Sequence, residues 1–193
     1  MPQRSLNARS TLNIICYPGR SAGFCAWGGF MNTVPTLAPP RPNELSERAA
    51  VAAEARTWLG TPYAHAQRLK GVGADCAGVP LEVYAAVGLI PPTDVGPYSN
   101  QWHLHRSRER YLEWVEQFGR EIPRDQAGQG DFLVWRFGRT YSHGGILVDD
   151  RHVVHAYARV GKVILDNSLT HADLKNSPVK AFTFWPTSSG GAL

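Results

Sequence analysis

Apolar positions follow one period in the first half of the chain and another in the second. From Asn43 onward Val51, Ala55, Trp58 and Leu59 fall on one face of a helical repeat, and Gly60 with Pro62 ends it, so a helix packed through its alanine-rich side is expected there. A loop punctuated by Gly71 and Gly73 leads to a second helix, expected to start at Asp75-Cys76, bury Val79, Val83, Tyr84 and Val87, and stop at Gly88. Pro80 fits only in the first turn of such a helix, because an interior proline breaks the hydrogen-bond ladder. Residues 89–100 carry Pro91, Pro92, Gly96 and Pro97 and are expected to form a loop. A third helix is expected over about residues 101–118, with Tyr111, Leu112, Trp114, Val115 and Phe118 buried. Arg106, Arg108, Glu109, Arg110 and Glu113 would face water.

Beyond this point the pattern shortens to strand-length runs: Phe132-Leu133-Val134-Trp135, Gly145-Ile146-Leu147-Val148, Val153-Val154-His155-Ala156-Tyr157, Val163-Ile164-Leu165 and Ala181-Phe182-Thr183-Phe184-Trp185. Turn residues separate them: Gly138, Asp149-Asp150 and Gly161. Connections this short make neighbours antiparallel, since a parallel pair needs a crossover of about a dozen residues or more. Helices first and strands after predict an α+β fold with N-terminal helices packed on a central antiparallel sheet of about five strands. One domain over 43–187 is expected, followed by a flexible tail over 188–193.

Composition changes this picture mainly at the N-terminus. The 193 residues carry a net charge of +4, but residues 1–42 hold Arg4, Arg9, Arg20 and Arg41 and no acidic residue. The remaining 16 basic residues balance 16 acidic ones, so the body from 43 onward is formally neutral. The leader, rich in Ser, Asn, Gly and Pro, is expected to be disordered. Met31 offers an alternative initiator. Its apolar stretch at Ile14-Ile15-Cys16-Tyr17 is too short for an export signal, so synthesis in the cytoplasm is expected. The neutral body speaks against nucleic acid as a partner, since phosphate binding calls for clustered cations and Arg106, Arg108 and Arg110 are interleaved with Glu109. No stretch suggests a membrane span.

Three cysteines, Cys16, Cys25 and Cys76, exclude a disulfide scaffold, and no Cys-x-x-Cys pair suggests structural zinc. Cys76 stands alone in the body, at the expected start of a helix, where partial positive charge and free N–H groups favour a thiolate. His143 and His155 lie on consecutive strands joined at Asp149-Asp150. A hairpin centred near residue 149 sets them opposite each other on one face, with Cβ atoms about 4.5–5.5 Å apart. One ring then serves as base for the thiol while the other fixes its tautomer. The bland alternatives are a small buried cysteine and structural strand histidines. His103 and His105 sit two apart on the expected third helix and so face different ways. His152, near a turn, and His171, in a polar loop, read as solvated surface.

These residues carry a resemblance. Gly60-Thr61-Pro62-Tyr63, Lys70-Gly71-Val72-Gly73-Ala74-Asp75-Cys76-Ala77-Gly78, Gly130-Asp131-Phe132-Leu133-Val134, Ser142-His143-Gly144-Gly145-Ile146 and Val154-His155-Ala156 closely resemble, in order and spacing, the NlpC-type cell-wall peptidases. These are a family of papain-like cysteine endopeptidases. The stretch from Thr61 to Cys76 looks most like the branch carried by bacteriophage tails and gene transfer agents. The resemblance implies hydrolysis of the amide between γ-D-glutamyl and diaminopimelate, or lysine, in peptidoglycan stem peptides, with no metal or cofactor. It implies Cys76 as nucleophile, His143 as general base and later acid, and His155 as the polar residue that orients His143. It further implies that Tyr63 assists at the oxyanion and substrate end and that Asp75 helps hold a free substrate amine, where the alternative for Asp75 is a helix N-cap. Phage-like tail proteins are implied as partners and a phage-like particle as a destination. Ala77 departs from the serine usual after the nucleophile, and Pro80 is unusual in the nucleophile helix. His65 is a candidate for the cleft wall. Other readings are a tail assembly component with little or no turnover, an acyltransferase on a related fold, and a zinc site of Cys76, His143 and His155.

Overall fold

A computed structural model describes residues 43–96, 98 and 109–186. The leader over 1–42, the tail over 188–193 and the first part of the expected third helix, 101–108, lie outside the described residues. Helix α1 spans Glu44–Arg56, strands β1 and β2 span Arg68–Leu69 and Gly73–Ala74, and helix α2 spans Gly78–Ala86. Helix α3 (Arg110–Val115), β3 (Arg120–Ile122) and a 3-10 turn (Arg124–Gln126) follow. Then come β4 (Phe132–Phe137), β5 (Thr140–Leu147), β6 (His152–Tyr157), β7 (Lys162–Asn167), α4 (Ala172–Lys175) and β8 (Val179–Thr183).

Strands β4 to β7 form a meander, and the chain then returns so that β8 lies between β3 and β4, giving the order β3-β8-β4-β5-β6-β7. Every pair is antiparallel. The expected α+β architecture of helices on an antiparallel sheet is observed, with six strands rather than about five. The additional strand, β3, is three residues long, and only its Ile122 is buried, so no apolar run announces it. The β1–β2 ladder, Arg68 opposite Ala74 and Leu69 opposite Gly73, is likewise too short for a period to appear.

The sheet is covered on both faces, which is why β4 and β5 read as continuous apolar runs rather than alternating ones. One layer of the core joins Val51, Ala52 and Ala55 of α1 and Val79, Val83 and Tyr84 of α2 to Val134, Ile146, Val154 and Phe182 of the sheet. The opposite face buries Leu133, Trp135, Leu147, Val153 and Ala181 with Ile122 and with Leu174 of α4. Each large side chain fully removed from water contributes roughly 1.5–3 kcal/mol.

Three boundaries differ from the sequence expectation. Helix α1 ends at Arg56 with Thr57 as its C-cap. Trp58, beyond the end, is still buried, but Leu59 is 41% exposed because the helical repeat no longer sets its direction. Helix α2 begins at Gly78 rather than at Asp75-Cys76, because the Asp75 carboxylate accepts the N–H groups of Ala77 (3.1 Å) and Gly78 (2.8 Å) and holds the chain in a turn first. Pro80 therefore falls in the first helical turn, where the missing N–H costs nothing. Helix α3 ends at Val115 rather than at 118: its Tyr111, Leu112 and Val115 are buried as expected, whereas Trp114, and Phe118 beyond the end, are only partly so.

Candidate active site

The segment leading to the thiol is fixed by backbone pairing before helix α2 begins. The N–H of Tyr63 bonds to the carbonyl of Gly161 (2.8 Å), that of Ala74 to Pro62 (2.9 Å) and that of Ala64 to Ala74 (3.0 Å), so residues 62–64 are stitched between β2 and the start of β7. The turn at Asp75 then presents Cys76 just ahead of α2. The Cys76 Sγ lies 3.6 Å from the carbonyl oxygen of Ser142, and the N–H of Gly144 also points at the sulfur. The thiol thus rests against the β5 residues on either side of His143. Gly144 permits this approach: a Cβ there would overlap the hydroxyl of Tyr111 and the ring of Phe132. The buried Tyr111 hydroxyl donates in turn to the Cys76 carbonyl at 2.7 Å.

Burial and the nearby Asp75 carboxylate push the Cys76 thiol up to about 12, against the pull of the N–H groups of Gly144 and of Cys76 itself. A thiol in that state does not ionise unaided near neutrality, and an adjacent base is required. His143 is placed for that role. It is 6% exposed, its ring stacks on Phe137 with centroids 4.7 Å apart and planes 8° from parallel, and its Nε2 is 2.7 Å from Nδ1 of His155. Among the described residues no hydrogen bond engages its Nδ1. Desolvation, then the neighbouring His155 and His171, hold the ring well below the usual histidine range, so it is neutral and able to accept a proton. His155, 1% exposed, is also lowered, mainly by burial, and its Nε2 reaches Asp166 Oδ2 at 3.1 Å.

The structure brings the two histidines together by a register other than the expected one. Ile146 lies opposite Val154 and Leu147 opposite Val153, which places Gly145 rather than His143 across from His155. The pair is therefore diagonal, two residues apart on the same face. Long side chains span that separation, and a Cβ at Gly145 would crowd the Cβ of His155 at 3.1 Å.

Cys76, His143, Tyr63, Asp75 and His65 all line one cavity of about 500 Å³, completed by residues at the end of β4, the end of β6 and α4. Burial first, then the negative charge available to Cys76 and Asp75, push the Tyr63 phenol up, so its hydroxyl stays a proton donor. Asp75, 2% exposed, accepts from the N–H groups of Ala66, Ala77 and Gly78 and from the hydroxyl of Tyr98. These four donors fill the acceptor positions of a carboxylate. Organising the turn before α2 is thus the role its contacts give it. His65 bonds through Nε2 to the carbonyl of Tyr98 (2.9 Å) and does line the cavity.

Asp166, Phe137, Tyr111 and Gly144 belong to the site without having been singled out from the sequence. The signal for Asp166 was available: it is the polar end of the apolar run Val163-Ile164-Leu165, two residues beyond Ile164, which pairs with His155. Period two then puts it on the face of His155. A zinc site of Cys76, His143 and His155 does not suit this arrangement, since both nitrogens of His155 and one of His143 are committed to hydrogen bonds.

No curated protein matches the chain. Among solved structures it is similar to RipB, a peptidoglycan hydrolase from Mycobacterium tuberculosis, at 19% identity over 76% of this chain and 68% of that one, with a TM-score of 0.52. It is similar to an NlpC/P60 family protein from Bacillus cereus ATCC 10987 at 19% identity over 78% of its length, with a TM-score of 0.53, and spans 42% of that protein. It is also similar to RipD from Mycobacterium tuberculosis, a non-catalytic NlpC/p60 domain protein, at 16% identity over 72% of this chain and 98% of that one, with a TM-score of 0.47. At these identities the likeness is one of fold. The model of the NlpC/P60 family matches residues 60–181, from the glycine before Tyr63 to the middle of β8 and so across every residue of the cavity's chemistry; the chain belongs to the NlpC/P60 family.

Proposed function

We propose that the protein is a cysteine endopeptidase of the bacterial cell wall, cleaving the amide between γ-D-glutamyl and diaminopimelate, or lysine, in peptidoglycan stem peptides. The observation that carries this reading is the Cys76 thiol and His143 on one cavity of about 500 Å³, with His143 hydrogen-bonded to the buried His155 behind it, a volume within the range of small-ligand sites. His143 Nδ1 takes the thiol proton as Sγ attacks the scissile carbonyl. The oxygen that becomes negative meets the N–H of Cys76 and the hydroxyl of Tyr63, donors worth roughly 2.7–4 kcal/mol each in comparable sites. His143 then returns the proton to the departing amine, leaving a thioester on Cys76. Water, deprotonated by the same ring, attacks the thioester, the C–S bond breaks, and the thiol is regenerated.

The cell-wall substrate is supported by family membership and by the fold shared with RipB. Placement in a phage-like tail, with tail proteins as partners, rests on the resemblance of the Thr61 to Cys76 stretch, and purified particles probed for this chain test it. For the reaction, a defined stem tripeptide containing γ-D-glutamyl-diaminopimelate is incubated with the protein and the products are identified by mass spectrometry. A new free diaminopimelate amine is expected, and an intact peptide, with its lysine counterpart also intact, would overturn the reading.

A further inference from the structure

We propose that Asp166 is a positioning residue that selects the catalytic tautomer of His143 through His155, resting on the reaction proposed above. The two imidazoles are buried and joined through His143 Nε2 and His155 Nδ1 at 2.7 Å. With both neutral, each ring carries one proton, and only one proton lies between them. Two arrangements satisfy that bond. In the first, His155 carries its proton on Nε2, accepts at Nδ1 from His143 Nε2–H, and leaves a lone pair on His143 Nδ1. In the second every proton is shifted: His155 donates from Nδ1, His143 accepts at Nε2, and His143 Nδ1 bears a hydrogen that prevents it from taking one from a thiol.

Nothing within the pair chooses between the two. The choice is made at the far nitrogen of His155, which lies 3.1 Å from Asp166 Oδ2. An ionised carboxylate only accepts hydrogen bonds, so the second arrangement would set a lone pair against a negative charge, while the first supplies a donor. Asp166 is placed for this by the sheet itself: it stands on β7 two residues beyond the position opposite His155. The other titratable groups facing this end of the pair are His171, whose Nε2 is 3.6 Å from the same oxygen, and Tyr157, whose ring centroid is 5.3 Å from that of His155. Tyr157 donates its hydroxyl to Asp173, which also receives Arg159, so neither replaces Asp166 as an acceptor for His155. The carboxylate also stabilises the imidazolium formed when His143 takes the thiol proton.

The test is Asp166→Asn in the full-length protein, a nearly isosteric change whose amide can donate to His155 Nε2 and so favour the second arrangement. Asp166→Glu is the conservative rescue. Nitrogen-15 spectra of the histidine side chains, recorded on the wild type and on each variant, report which nitrogen carries the proton whether or not any peptide is cleaved. The wild type is expected to show Nε2–H on both rings, Asp166→Asn to show Nδ1–H on both, and Asp166→Glu to restore the wild-type pattern. On the stem tripeptide, kcat of Asp166→Asn is expected to fall on the order of 10²–10³-fold with KM little changed, by analogy with the serine triad, where the corresponding change costs about 10⁴. The acid limb of the rate profile should move to lower pH as the imidazolium loses its counter-charge. Nδ1–H on His155 in the wild type, or an Asp166→Asn protein with wild-type tautomers or wild-type kcat, would overturn the proposal. Correct tautomers in a protein that cleaves no peptide would instead overturn the reaction and leave the role of Asp166 in setting the tautomer established.

Discussion

At the scale of single residues, the decisive feature is a thiol that its surroundings discourage from ionising. With Cys76 pushed up to about 12 by burial and by Asp75, the proposed mechanism borrows its reactivity at neutral pH from His143. Alkylation of Cys76 by iodoacetamide at pH 7.5, followed by mass spectrometry of the Cys76 peptide, should therefore slow at least about tenfold in His143→Ala, with the rate recovering only as the pH approaches the thiol's own titration. Equal rates in both proteins would show that the sulfur is activated by something other than the ring. In the proposed mechanism Tyr63 acts at a later moment. Tyr63→Phe removes one donor to the developing oxyanion and should lower kcat about 10²-fold with little effect on the melting temperature. Asp75 behaves differently: with four donors on its carboxylate, Asp75→Ala should cost roughly 1–2 kcal/mol in urea denaturation as the turn ahead of α2 loses its acceptor.

At the scale of elements, the close contact of β5 with α3 and β4 sets the geometry around the sulfur. Gly144→Ala should destabilise the protein by roughly 1–3 kcal/mol, the usual cost of forcing a methyl into a filled space, because the added carbon overlaps Tyr111 and Phe132. Activity should fall further than stability alone predicts, since the same shift pulls Ser142 and Gly144 away from Cys76. This is also the scale at which sequence reading was strongest and then gave out. The change from helical to strand period located α1, α2 and β4 to β8, because burial on one face or two writes itself into apolar spacing. Residue chemistry and order single out Cys76, His143 and His155 as candidates, and the fold brings His143 and His155 into hydrogen bond. The hairpin register differs from the expected one by two residues, since turn geometry around Asp149 sets it: its carboxylate caps the N–H groups of Arg151 and His152, and no apolar pattern encodes that. β3 was missed because a short polar edge strand is held by hydrogen bonds to β8 rather than by its own side chains.

At the scale of the whole molecule, two buried neutral imidazoles tie the site to the pH dependence of folding stability. Both His143 and His155 are lowered in the folded protein, chiefly by burial. Below the ordinary histidine value the unfolded chain therefore binds more protons than the folded one. Their contribution is intact above that value and is lost as the pH falls through it, at up to about 1.4 kcal/mol per pH unit for each group. Asp131, raised by burial, works in the opposite sense, so the comparison is made by difference. Urea denaturation at pH 7.5 and 5.5 should show a smaller loss in the His143→Gln, His155→Gln double variant than in the wild type, and equal losses would contradict the assignment. The proposed activity stands on Cys76 acting as the nucleophile on peptidoglycan, and the direct measurement is mass spectrometry of purified murein digested by the wild type and by Cys76→Ala. The wild type is predicted to release stem-peptide fragments cut after γ-D-glutamyl and the variant to release none; a Cys76→Ala protein as active as the wild type would contradict it.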